Sequence, residues 1–322
     1  MKRRSLLGGA ALAATAGLAA DPFRRGRIPS RRPSLSRVAI VRCEHYDHVS
    51  RAVADGFRLL SPALRGKRGL LKPNLVEYSP AAPVNTHPAL IAAVVDALYT
   101  LDAASVVVAE GPGHVRDTDL LLSESGLRSQ LDAVGRAPFV DLNFDSVVRK
   151  PPATGLTGLR ELWLPETALA ADILISMPKI KTHHWAGVTL SLKNLFGVLP
   201  GSIYGWPKNV LHWQGLDNSI VELAASVPIH FVIADGVEAM EGNGPLHGRM
   251  KPLGCLVFAD DPVAADAACC RLMGVDPRRV RHLQLASPLG NLDPARIEQR
   301  GESLKRMRRE FEPPPGFGRL RG

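Results

Sequence analysis

The chain has 322 residues, 45% hydrophobic and 22% charged, which excludes a disordered or fibrous polymer and leaves ample apolar material for a core. Its net charge of +9 is unevenly placed: residues 1–20 hold +3, residues 21–37 hold +5 and residues 296–322 hold +4, so residues 38–295 stand at −3. A mildly acidic body with 5% aromatic residues argues against nucleic acid as a partner.

The chain opens with Lys2, Arg3 and Arg4, followed by an apolar run from Leu6 to Ala20 that is too short to span a bilayer comfortably. A basic start, an apolar middle and small-residue sites such as Ala14-Thr15-Ala16 read as an export signal over residues 1–20. Arg3-Arg4-Ser5-Leu6-Leu7 resembles the twin-arginine class of leaders, with Leu6 where that class usually has Phe. The resemblance implies the twin-arginine export machinery as a partner, a folded passenger and a periplasmic or other extracytoplasmic address. Residues 21–37, with six arginines and three prolines, read as a linker. No later stretch has 18 uninterrupted apolar residues, so no permanent membrane span is expected.

From Val38 the body alternates short β-rich runs with helical patterns. Strands are expected at 38–43, 69–74, 105–109, 172–176, 229–234 and 254–259, and helices at 49–60, 89–101, 118–134, 216–226 and 262–273. Pro88 opens one helix where its missing N–H costs nothing, and Asp261 with Pro262 opens another. This alternation predicts an α/β fold with a largely parallel sheet and helices on both faces, spanning 38–295 and followed by a basic tail at 296–322. Residues 150–160 read either as a boundary between two lobes or as a long surface loop. The cysteines, at 43, 255, 269 and 270, form no Cys-x-x-Cys pair, so an iron–sulfur cluster or zinc knuckle within the chain is not expected. Disulfides remain open from spacing alone, with Cys255 read as a buried thiol.

The chemistry-bearing residues follow strands, where open parallel sheets bind ligands. They include Lys72 and Asn74, Thr86 and His87, Glu110 and His114, Lys179 through His184, Lys193, His212, and Asp235 through Pro245. No nucleotide fingerprint of the Gly-x-Gly-x-x-Gly or Walker type is present. His87 is expected to start a helix, Asp260 and Asp261 to cap one, and one of the adjacent pair His183 and His184 to point away into the structure.

The phrases at 71–76, 86–88, 178–183, 192–197 and 235–245 together resemble the family of domain of unknown function 362 over roughly residues 38–275. That resemblance implies a fold and no reaction. The segment from His183 to Trp213 also resembles the part of lactate-racemase-type proteins that holds a nickel-pincer nucleotide. There a histidine precedes Ala-Gly, here His183 before Ala186 and Gly187. A lysine ten residues later, here Lys193, bonds the cofactor, and a histidine beyond Pro-Gly, here His212, ligates the metal. His114 would match a further catalytic histidine. Ser191 and Leu192 replace that family's glycine pair. The expected pocket therefore comprises His114 and His183 as catalytic residues, Lys193, Lys181, Asn74, Thr86 and Asp235 as cofactor or anion contacts, and His212 as metal ligand. Two functions fit it: a cofactor- or metal-dependent isomerase or oxidoreductase acting on a small carboxylate, and a non-catalytic extracytoplasmic binding protein for an anionic small molecule or cofactor.

Overall fold

The computed structural model describes residues 26–113 and 117–321. The leader, the first part of the linker and His114 lie outside the described residues. The strands are β1 (Ser36–Arg42), β2 (Arg68–Pro73), β3 (Ser105–Glu110), β4 (Phe139–Asp141), β5 (Val147–Lys150), β6 (Leu162–Pro165), β7 (Ile173–Met177), β8 (Lys179–His183), β9 (Gly187–Thr189), β10 (Phe231–Asn243), β11 (His247–Ala259) and β12 (Ile297–Gly301).

The main sheet runs β12-β1-β11-β10-β7-β2-β3-β4, with β8 paired to β10 and to β9. The β4, β3, β2, β7 and β10 neighbours are all parallel. Antiparallel pairing appears where β11 folds back between β10 and β1, and where β9 folds back on β8. The architecture is α/β, as the alternation of elements predicts. The sheet is buried on both faces because alternate residues serve different cores: Val38 and Ile40 join one cluster, Ala39 and Val41 the other. The helices Val49–Leu60 and Pro88–Thr100 cover the second face, and Leu216–Ser226 and Pro262–Leu272 the first.

Local chemistry sets the helix starts. Pro88 occupies the first turn while the His87 ring accepts a bond from the Ala89 amide at 3.2 Å. Asp261 caps its helix through the Val263 and Ala264 amides, whereas Asp260, expected to share that task, instead pairs with Arg37 at 2.7 Å. The single helix expected over 118–134 is two helices, Thr118–Glu124 and Leu127–Val134. Gly126 separates them at φ +77°, a conformation that interrupts the right-handed run.

Residues 297–321 pack onto the body. β12 pairs in parallel with β1, and Phe311 and Leu320 are buried in the core. Residues 151–161 connect β5 to β6, which form their own two-stranded sheet, and Thr154 in this connection is tied to the buried Glu222. All four cysteines are free and buried. No helix among the described residues is long and apolar enough to cross a membrane.

Candidate functional site

At the carboxyl ends of β2 and β3 the chain leaves the sheet as Asn74–Val76 and Gly111–Gly113, opening one side of a cavity of about 190 Å³. The opposite side comes from β8 and the segment after it, from the short helix Ser191–Asn194, and from residues 207–212. Pro245 and Leu246, the turn joining β10 to β11, complete the lining.

Beneath this cavity two ion pairs sit fully buried. Lys72 Nζ donates to Glu110 at 2.5 Å, to the Pro73 carbonyl at 2.7 Å and to Asn194 Oδ1 at 3.2 Å. Burial pushes the Glu110 carboxyl up and the Lys72 amine down, each opposed by the other's charge. Gly197 is required beside them, because a Cβ there would overlap the Glu110 carboxylate and approach Lys72 Nζ. The second pair is Lys179 with Asp235 at 2.8 Å, and Asp235 also accepts from the Tyr46 hydroxyl and the His87 amide. Thr86 is equally structural, accepting from the Asn74 amide and donating to the Met177 carbonyl. Asp235 and Thr86 therefore brace the loops and do not line the cavity.

Three further lysines do line it and have no carboxylate partner among the described residues. Lys181, 0% exposed, donates to the Val84 carbonyl at 2.6 Å. Burial first, and then the charges of Lys179 and Lys193, hold its amine well below the ordinary lysine range. Lys193 makes no hydrogen bond among the described residues, lies 4.3 Å over the Phe196 ring, and is brought down to about 8 by burial and by Lys72. Its helix is anchored by Asp266, which accepts from the Ser191 and Leu192 amides at 2.7 and 3.1 Å. Burial lowers Lys208 to about 7, against the pull of Glu110. Its backbone sits at φ +68°, a costly conformation for a side-chain-bearing residue, and its Nζ donates to Asn143 Oδ1 at 2.5 Å.

The histidines are sorted by their backbone contacts. His183 Nδ1 accepts from the Trp185 and Ala186 amides at 3.0 and 3.2 Å, so in the neutral ring the proton belongs on Nε2. Burial, with Lys193 next, keeps that ring neutral, well below the usual histidine value. His184 Nδ1 faces the Gly244 carbonyl at 2.8 Å and His212 Nδ1 faces the Lys208 carbonyl at 3.1 Å. A carbonyl only accepts, so in both rings Nδ1 carries the proton and Nε2 keeps its lone pair. His212 is further biased to neutrality by burial and by Lys193. One of this adjacent pair was expected to turn away into the structure; instead both His183 and His184 line the cavity, their rings stacked at 5.1 Å. Asn74 Oδ1 and Thr189 Oγ1 are buried on the lining without a hydrogen-bond partner among the described residues.

Of the residues expected from sequence, the fold brings Asn74, Lys181, His183, Lys193 and His212 together, and places Thr86 and Asp235 in the supports behind them. His184, Lys208, Glu110 and Thr189 belong to the site and were not assigned to it. The fold and cavity define an α/β protein with a lysine- and histidine-lined pocket at the strand ends.

Comparison with known proteins narrows that class. Residues 70–271 match the domain of unknown function 362, and the chain belongs to that family. A thylakoid-associated protein of Synechocystis is 30% identical over 240 residues, 72% of this chain and 71% of its own. Among solved structures, the lactate racemase apoprotein of Thermoanaerobacterium thermosaccharolyticum aligns with a TM-score of 0.47 at 15% identity, covering 78% of this chain and 62% of its own. A Thermotoga maritima protein aligns with a TM-score of 0.38 at 12% identity, covering 60% of this chain and 51% of its own.

Proposed function

We propose that this protein is an enzyme that holds a small carboxylate and moves a proton or hydride at the adjacent carbon, in the isomerase or oxidoreductase class. The observation that carries the reading is the sorting of donors and acceptors around one cavity. Lys181, Lys193, Lys208 and the His183 Nε2–H can donate to an anion, while His184 keeps an Nε2 lone pair that can receive a proton and His212 keeps one that can either receive a proton or ligate a metal. Among the described residues the one lining carboxylate, Glu110, is already paired with Lys72, so the lining lysines favour an anionic ligand, whose charge would draw protons onto them. Asn74 Oδ1 and Thr189 Oγ1 would offer partners to a substrate hydroxyl beside the carboxylate.

The sequence resemblance through Lys193 and His212 implies a metal-nucleotide cofactor, and two features suit it. The Lys193 amine is unbonded and lowered to about 8, suited to a covalent or ionic link, and His212 keeps Nε2 for a borderline metal. Such a group would supply an electron sink for a hydride. Among the described residues no group of three His, Cys, Asp or Glu could hold a metal alone, so the protein would contribute only part of the ligand set. We also place the protein outside the cytoplasm, on the basis of the twin-arginine-like leader; Lys in place of both Arg3 and Arg4 should then retain it inside the cell on fractionation.

The test uses protein recovered from its native host. Single enantiomers of small 2-hydroxy carboxylates are incubated with it, and products are followed by chiral chromatography. Turnover of at least one enantiomer is expected, falling about 100-fold or more in His184→Gln. Intact mass and metal content are measured on the same sample. Binding without turnover by protein of full metal and cofactor content would overturn the enzyme reading in favour of a carboxylate-binding protein. An unmodified Lys193 in metal-free, fully active protein would remove the cofactor.

A further inference from the structure

The cavity is graded in polarity from floor to mouth. Lys181 and Lys208 are 0% and 1% exposed, whereas Trp185, on the same lining, is 59% exposed. These two lysines are therefore deep and the indole stands at the opening. Its position is fixed from three sides. The Trp185 amide bonds His183 Nδ1, and its ring meets those of His184 and His212 at 4.6 and 5.3 Å, inclined at 75° and 70°. Edge-to-face contacts to two rings orient the indole while leaving it open to solvent. Apolar residues share the lining: Val76, Pro207 and Leu246 are part-exposed, and Leu75 and Phe196 are buried. A plain two- or three-carbon acid would satisfy the lysines and leave this apolar surface without a role.

Resting on the carboxylate reading above, we propose that the ligand is an amphipathic acid, whose carboxylate reaches the lysine floor and whose flat apolar or aromatic body stacks on Trp185. An exposed, oriented indole above a buried cationic floor selects for such a shape. The deep end rewards an anion, and the exposed indole rewards planar apolar surface.

The experiment is calorimetric titration of the whole protein with acetate, phenylacetate and the neutral phenylacetamide, repeated for Trp185→Ala, Trp185→Phe and Trp213→Ala. Trp213 is 78% exposed and does not line the cavity, so its removal is the control for surface indoles. Phenylacetate should bind about tenfold tighter than acetate. That preference should vanish in Trp185→Ala and survive in Trp185→Phe and Trp213→Ala. Equal affinity for acetate and phenylacetate in the wild type would overturn the inference and spare the carboxylate reading. Phenylacetamide binding as tightly as phenylacetate, with a Trp185-dependent preference over acetate, would retain the indole's role and sink the carboxylate reading. Failure of all three to bind would sink both.

Discussion

Two sets of lysines, all buried but the half-buried Lys193, lie within one small region and differ in whether a carboxylate faces them. Lys72 and Lys179, beneath the cavity, each hold a carboxylate at hydrogen-bond distance. Lys181, Lys193 and Lys208, around it, hold neutral oxygens or nothing. The first set ties strands and loops together; the second carries uncompensated donor capacity toward a ligand. The same residue type thus becomes structural or functional according to whether the fold supplies its counter-charge. Lys179 and Lys181, two residues apart on β8, fall on opposite sides of that division.

The sharpest way to break the contrast is to make a paired lysine unpaired. Asp235→Ala leaves Lys179 buried without its carboxylate and frees the Tyr46 hydroxyl and His87 amide, and should cost about 3–5 kcal/mol in denaturant unfolding. Gly197→Ala presses a methyl group into the Lys72–Glu110 pair and should cost about 1–3 kcal/mol by the same measurement. Lys193→Met should do the reverse, leaving stability at pH 7 equal to or above wild type while weakening carboxylate binding about tenfold by titration calorimetry. The smallest effect concerns protons. A bound anion favours the charged amine, so Lys193, at about 8 alone, takes up a proton on binding. The Lys193 share should reach about half a proton near pH 8 and fade toward pH 6, where that amine is already charged, while Lys208, at about 7 alone, adds a share of its own near pH 7. Calorimetry in buffers of different ionisation enthalpy reads it, and release in place of uptake would contradict the assignment.

The sequence announced the buried strands and amphipathic helices, since a run such as Ser105–Glu110 has one reading in an α/β chain. The helices Val49–Leu60 and Leu216–Ser226 begin and end where their patterns do. The full extent of β10 and β11 was hidden. Only 229–234 and 254–259 carry apolar runs, while the far half of β11, His247 to Pro252, is largely exposed and has no periodic apolar signal. The loops carrying the site stood out by their polar residues, but not the division of labour within them. Asp235 and Thr86 look like ligand contacts in sequence and act as braces, because their partners Tyr46, Lys179 and Met177 are brought to them only by the fold. Lys208 was missed because lysine in a loop is ordinarily solvated. His184 was missed because two adjacent histidines on an extended segment are expected to diverge; the turn after β8 brings both rings to one side.

The β10–β11 hairpin has a consequence for the free energy of the whole molecule. Its base lies between β7 and β1 in the sheet, and its turn supplies Pro245 and Leu246 to the cavity. The lining is drawn from segments between Asn74 and Leu246, joined only when that hairpin and the parallel strands are in register. Ligand binding and global folding therefore form one linked equilibrium. An acid at 100 times its dissociation constant should raise the stability of the entire fold by about 2.7 kcal/mol, making the melting transition a direct screen for the natural ligand.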